Sequence, residues 1–527
     1  MLNSKHKMKM ISSIKKYGWI LVALPLVFTG CSKDTLDNIN KDTNHSTDVQ
    51  AKFILTDVIT RTAFSNSGGD INTYVSTYVE HEVGVWNQTY YAETRVTQPT
   101  AASTFNNPWG SLYTTLKNAK MIIEKCSEGG PEAGNNTTKG IGEVMAAYNL
   151  ALITDLYGDA PWLEAGDYSL TLTPKIDKQE VIYAAVMSYL DDAILDLQKT
   201  GGASPGANDL MYGGSAAKWL KFAYGLKARY TMRLIKRSAN ATADLQQVID
   251  NVNLSFTSAA DQAAFAKYDA TNLNPTFDFQ WSRDGLGASR SLVDKLIARN
   301  DPRLRREFVD ADWTQVATAA TGDAAYNLMA PNGVNEQIQY FYNTSIFVFS
   351  QTAPTMLLSY HELLFLKAEA MARLGNGAAT IAPVLRTAVA AAIANTEVSV
   401  TAALNAPTVA PYGGLTETTA PITPTEAGTY FDTSVLPLLT ANPLREVMNQ
   451  KYLAFFGASG ESTEAYNDIR RLKSLGEDLI ELKNTKPFPL RLPYGSDDTT
   501  TNPNVQAAYG NGQYVYTEQV WWAGGTR

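Results

Sequence analysis

Three carboxylates crowd one short stretch of this 527-residue chain. Ile153–Ala165 reads ITDLYGDAPWLEA, with Asp155, Asp159 and Glu164 around a Tyr-Gly turn. Such a group could hydrolyse a glycosidic bond, bind a cation or end a helix. Hydrolysis needs two carboxyl groups facing each other, about 5–5.5 Å apart for retention or about 6.5–9.5 Å for inversion. Nothing in the spacing aims Asp155 and Asp159 at one cleft. An EF-hand calcium loop alternates oxygen ligands around a central glycine and closes on a glutamate, and DLYGDAPWLE lacks that alternation. Gly158 suits the left-handed residue that stops a helix, and Pro161 prevents its resumption. A structural turn is expected.

Other chemistries find less support. His45, His81 and His361 are widely separated, and HEVGV at His81 is not the HExxH zinc helix because position 85 is valine. His361 falls inside a helical core pattern and reads as a packed or capping side chain. No glycine-rich phosphate loop follows a strand, and no G-x-S-x-G elbow occurs. No metal and no cofactor is expected, and the chain reads as non-catalytic.

The aromatic residues say more. Tyr (27), Trp (9) and Phe (18) exceed the needs of core packing, because many fall in polar, loop-like runs. In YVEHEVGVWNQTYYAETR, Trp86, Tyr90 and Tyr91 stand with Asn87 and Gln88 in a polar, helix-poor run. Flat rings suit the apolar face of a sugar, while amides and Arg95 can bond its hydroxyls. FDFQWSRDG, with Trp281 and Arg283, is a second loop of this kind. Tyr74 and Tyr78, four apart, read as a packed helix face, Trp109 as core, and Trp521 and Trp522 as packed tail residues.

The elements that must position these residues are mostly helical. Apolar periodicity and breakers give four helical pairs. PWGSLYTTLKNAKMIIEKC joins IGEVMAAYNLALITDLYGD, and KQEVIYAAVMSYLDDAILDLQK joins SAAKWLKFAYGLKARYTMRLIKR. MLLSYHELLFLKAEAMARLG precedes ATIAPVLRTAVAAAIAN, and NPLREVMNQKYLAFFG precedes STEAYNDIRRLK. Small residues such as Ala368 and Ala370, where helices would cross, make the pairs tetratricopeptide-like. Segments 241–283, 310–354 and 396–442 and the tail after Lys483 read as long irregular connections, which are usually functional or disordered. Within them, LTETTAPITPTEAGT reads as an exposed, flexible loop.

The chain opens with five lysines and no acid before GWILVALPLVFTGC. A basic region, a short apolar run and small residues before a cut describe a secretory signal, too short for a span of roughly 20 apolar residues. Phe28-Thr29-Gly30-Cys31 resembles a bacterial lipobox, in which Cys31 would carry the lipid. Residues 1–30 then form the signal, residues 31–527 one domain, and Cys126 has no cysteine left to pair with. Loss of residues 1–30 takes the net charge from −8 to −13. An acidic body argues against nucleic acid or an anionic membrane surface as a charge-driven partner.

The lipobox, NINKDTN, DLYGDAPW, KWLKFAYGLKARYTMRL, NDPRLRREF, YHELLFLKAEA, NQKYLAFFG, EAYNDIRR and VWW occur in that order. Together they resemble the SusD/RagB-like family, most closely its nutrient-binding outer-membrane lipoprotein branch, from Cys31 nearly to Arg527. The resemblance implies a tetratricopeptide-like helical scaffold with irregular ligand-facing loops. It implies a lid over a SusC-like TonB-dependent transporter that captures oligosaccharides, or in some relatives peptides, without chemistry. A lipoprotein glycan hydrolase is the alternative from a different class.

Overall fold

The computed structural model describes residues 49–526 apart from 96–104, 168, 335, 337 and 513. The N-terminal segment and Cys31 lie outside the described residues. Among these, helices of eight residues or more are α1 (Ala51–Arg61), α2 (Asp70–Tyr78), α3 (Asn87–Thr94), α4 (Asn106–Cys126), α5 (Asn136–Tyr157), α6 (Gln179–Leu197) and α7 (Ala216–Arg233). They continue with α8 (Ala241–Leu254), α9 (Pro275–Arg283), α10 (Arg290–Ala298), α11 (Tyr360–Arg373), α12 (Ala378–Leu404), α13 (Pro443–Ala454) and α14 (Ser462–Leu475). The fold is mostly helical; the expected pairs α4/α5, α6/α7 and α11/α12 pack side by side, whereas α13 of the fourth packs on α11 rather than along α14.

The pairs form where apolar side chains recur every three or four residues. In α4 the buried set is Trp109, Leu112, Leu116, Ala119, Ile122 and Cys126, one stripe of a helix surface. Helix α5 is buried almost all round between α4 and α6. Two glycines permit that approach: a Cβ on Gly140 would lie 2.7 Å from the Leu197 side chain, and one on Gly142 2.8 Å from Ile122. Tyr74, Tyr78, Trp109 and Trp522 are buried in the core, as their spacing suggested.

Buried ion pairs tie the helices to one another. Arg229 of α7 forks onto Glu362 of α11 at 2.7 and 2.6 Å. Arg471 of α14 reaches Glu369 of α11 at 2.5 Å, and Lys451 of α13 meets Asp468 of α14 at 2.7 Å. His361 is buried against Glu461, 3.1 Å away.

The three opening carboxylates diverge into structural work. Gly158 ends α5 at φ 82°. Asp159 accepts the Gln179 amide at 2.8 Å, holding the start of α6, and pairs with Lys178 at 2.8 Å. Asp155 is buried, accepts the Tyr183 hydroxyl and lies 3.7 Å from Arg233; burial raises its pKa against the pull of that guanidinium. Glu164 accepts the Lys175 amide at 3.0 Å. Around this turn, Ala160–Pro161 pairs with Ile176–Asp177.

Three expectations need correction. The segment 241–283 holds α8 and α9; the Asn240 side chain accepts the Ala243 amide at 3.2 Å and starts α8. Met356–Leu358, expected as helix, belongs to the strand Thr355–Leu358 paired with Ala263–Phe265, and α11 begins only after the Ser359 cap. The Pro/Thr-rich loop is pinned, not free. Thr416 bridges to Thr314, Thr418 and Thr419 bond Gln315, and Glu417 pairs with Arg306 at 2.9 Å. Thr423 and Glu426 then form a capping box.

Candidate functional site

Two short antiparallel strands bring the sequence-distant aromatic segments together. Glu82–Gly84 (β1) pairs with Leu286–Ala288, Gly84 opposite Leu286. The Val85 amide then donates to Gly285 O at 2.9 Å. A Cβ on Gly84 would meet Thr89 O at 1.8 Å, so the tight passage from β1 into α3 requires glycine there. Trp86 thus lies at the end of β1, beside the turn that follows α9.

The loop expectation for both aromatic segments was wrong in secondary structure. Asn87, at φ 50°, starts helix α3, which carries Tyr90 and Tyr91, their rings 5.6 Å apart. Trp281 and Arg283 end helix α9, not a loop. Arg95 is committed to the protein: it is buried and donates to Tyr78 O and Lys486 O, each at 3.1 Å.

A cleft of about 290 Å³ opens beside α9. Trp281 stacks on the buried Phe277 (centroids 5.5 Å, planes 13° apart) and stands 6.2 Å from Trp313 and 5.9 Å from Tyr412. Trp313 in turn lies 5.7 Å from Phe349. Each ring has its own support. The α9 turn is locked by Gln280, whose Oε1 accepts the Gly285 and Leu286 amides and whose Nε2 donates to Asp284 Oδ1 at 2.7 Å. Trp313 sits at φ 60° in a turn held by Asp310 Oδ1, which accepts the Asp312 and Thr314 amides. Its carbonyl accepts the Thr416 amide at 3.0 Å, which ties the Trp313 turn to the segment after Tyr412.

The cleft also carries Val85, Asp284, Asp310, Tyr340 and Tyr342. Burial lifts the Asp284 pKa to about 6. Fixed, partly exposed indole and phenol faces beside a few acceptors can stack on a flat ligand and bond its polar rim.

Of the sequence-selected residues, Trp281 lines this cleft. Trp86, Asn87 and Tyr91 are exposed but do not line it, and Tyr90 is half-buried. Arg283 faces another cavity of about 470 Å³ on the far side of α9, with Asp70 and Asp278, its guanidinium 5.3 Å from the Phe279 ring. Two residues apart on a helix, Trp281 and Arg283 point about 200° apart. Sequence reasoning missed Trp313, Tyr340 and Tyr412. The signal was present, since each sits among Asp, Asn or Gly in a long connection, as Trp86 does.

Catalytic and metal chemistry find no second foothold in the histidines. His81 is buried between Ser462 Oγ (2.8 Å) and Tyr452 O (3.0 Å), and burial lowers its pKa to about 3. Among the described residues no cluster of His, Cys, Asp and Glu could hold a metal ion. Cys126 is buried and its thiol is pushed up to about 12.

The family model described as "Starch-binding associating with outer membrane", SusD-like, matches residues 43–495. A SusD/RagB family protein from Bacteroides thetaiotaomicron is 53% identical, with a TM-score of 0.86 over 91% of this chain and 100% of its own. A chitin-binding protein is 23% identical, with a TM-score of 0.66 over 88% of this chain and 99% of its own. A SusD homolog from Bacteroides fragilis is 20% identical, with a TM-score of 0.66 over 90% and 100%. The last two likenesses are of fold. A comparison with curated proteins finds no match. With most of its length matched by the family and a near relative aligned along it, the chain belongs to the SusD-like family of outer-membrane-associated, starch-binding proteins.

Proposed function

We propose that the chain is a non-catalytic surface lipoprotein that captures oligosaccharide in the cleft of Trp281, Trp313 and Tyr340 and passes it to a SusC-like TonB-dependent transporter. In this reading residues 1–30 are removed on export, and lipid on Cys31 holds the remaining chain to the outer membrane. The observation that carries it is the aromatic cleft, in which Trp281, Trp313 and Tyr340 come from three separate stretches of chain and Trp281 is braced by Phe277. Stacked rings contribute on the order of 0.5–1.5 kcal/mol each beyond burial, enough for capture and release.

Hydrolysis has little to work with. Asp155, Asp159 and Glu164 serve the scaffold, and Asp310 is held by two amides of its own turn. Calorimetric titration with maltooligosaccharides and N-acetylglucosamine oligomers, followed by mass analysis of the recovered sugar, tests the proposal. Saturable binding with intact sugar supports it. Shortened sugar would establish the hydrolase, and binding only of peptides would replace the ligand class.

A further inference from the structure

The cleft carries charge of one sign. Asp284 and Asp310 stand among aromatic faces, and no lysine, arginine or histidine among the described residues lines it. The neighbouring cation in sequence, Arg283, faces the other cavity.

The two carboxylates are not equivalent. Asp310 Oδ1 accepts the amides of Asp312 and Thr314 and holds the Trp313 turn. Asp284 is fixed in a left-handed conformation at the end of α9, φ 44°, with its amide on Gln280 O at 2.7 Å. Its Oδ1 takes the Gln280 amide group, while Oδ2 is buried with no donor in good hydrogen-bond geometry, the Tyr340 amide lying near the carboxylate. Buried carboxylate oxygens are normally satisfied by a donor. The Tyr340 amide offsets the burial of this carboxylate only in part, and the cleft wall supplies no counter-charge.

We propose that the cleft selects glycans bearing a free amino group, the ammonium of an amino-sugar ring lying against Asp284 while the ring stacks on Trp281 or Trp313. The proposal rests on the reading of the cleft as a glycan site. An ammonium brings three donors and the missing positive charge, and aromatic faces attract cations as well as apolar ring faces. A uronate or sulfated sugar would meet two carboxylates and no cation, on a chain of net charge −8. Such a field disfavours polyanions already at encounter.

Acidity supplies an independent handle. Burial raises the Asp284 pKa to about 6, and the Tyr340 amide pulls the other way. Gln280 on its own helix and Asp310 in the same cleft are the other polar groups around it. The carboxylate is therefore ionised at neutral pH and loses its charge as pH falls through that value. An amine only gains protons over the same interval, so weaker binding on acidification reports the carboxylate.

The test is calorimetric titration of the full mature chain with a β-1,4-glucosamine oligomer, its N-acetylated counterpart and an oligogalacturonate, at about pH 7 and about pH 5. At neutral pH the glucosamine oligomer should bind at least ~10-fold more tightly than the acetylated one, a difference of about 1.4 kcal/mol, and the uronate should not bind. That ratio should collapse near pH 5 and in Asp284→Asn, with the variant's melting curve confirming a folded protein. Equal affinity for the amino and acetyl forms, or a ratio that survives in Asp284→Asn, overturns the selectivity while the glycan reading stands. Absence of binding by every glycan removes both.

Discussion

Replacing Trp281 by alanine should weaken oligosaccharide binding far more than replacing Trp86. Trp281 is 39% exposed and Trp86 36%, so exposure does not separate them. Position does. Trp281 rests on Phe277, adjoins Trp313 and lines the cleft, whereas Trp86 does not line it. Loss of the indole removes a stacking contact of about 0.5–1.5 kcal/mol. It also removes the burial of one ring face; for roughly 50 Å² at about 25 cal/mol per Å² that is a further ~1.2 kcal/mol. The sum, about 1.7–2.7 kcal/mol, corresponds to a weakening of roughly 15- to 90-fold. Trp86→Ala should change affinity by less than about 3-fold, below ~0.7 kcal/mol. Isothermal titration with the tightest-binding oligosaccharide measures both, and circular dichroism checks the fold, since the Phe277 ring loses its cover. Equal losses from the two variants, or a larger loss from Trp86→Ala, would refute the placement of the ligand.

Asp159→Ala should lower the melting temperature without selective loss of ligand, because it removes the acceptor at the α6 start, a capping loss of about 0.5–2 kcal/mol; a stable variant blind to ligand would contradict this. Glu362→Ala leaves Arg229 buried without its fork partner and should cost about 3–5 kcal/mol in denaturant unfolding; a near-zero change would show the pair to be dispensable. Asp284 has a folded pKa raised to about 6, so its ionisation opposes folding and stability falls as pH rises from the unfolded value through 6. Asp284→Asn should therefore raise the melting temperature at neutral pH and change it little near pH 4, about the unfolded carboxylate value; the opposite trend would show the carboxylate to be held by a favourable partner. Cys31→Ala should abolish acyl labelling and release the protein from membranes when the transporter is absent; persistent anchoring would contradict lipidation at that residue.

The scaffold was legible because each helix writes its buried face locally. The stripe Trp109, Leu112, Leu116, Ala119 needs no knowledge of what covers it, and Gly158 with Pro161 marks an end by backbone restriction alone. Helix α8 carried the same kind of mark in Leu245, Val248 and Val252, all buried, but lay inside a run judged by its polar residues. Helix α3 is different. Asn87–Thr94 is polar on average and is held by distant groups: Glu93 accepts the Gly333 amide at 2.6 Å, and its carbonyl accepts from Asn484 at 2.8 Å. No local pattern reports such support. The cleft was illegible for a related reason, since the Trp313 turn is fixed by pairing of Thr314 with the distant Thr416, a register that neither segment encodes alone. Trp281 could be picked as an exposed ring, but Arg283 could not be sent to the other face until the segment was known to be helical.

Crystals of the mature chain soaked with the tightest-binding oligosaccharide put the central claim to its most direct test. Sugar rings lying in the cleft against the exposed faces of Trp281 and Trp313 are expected, with Asp284 bonding the polar rim. Sugar confined to the Tyr90–Tyr91 face of α3 or to the cavity of Asp70 and Arg283, with the aromatic cleft empty at saturation, would contradict it.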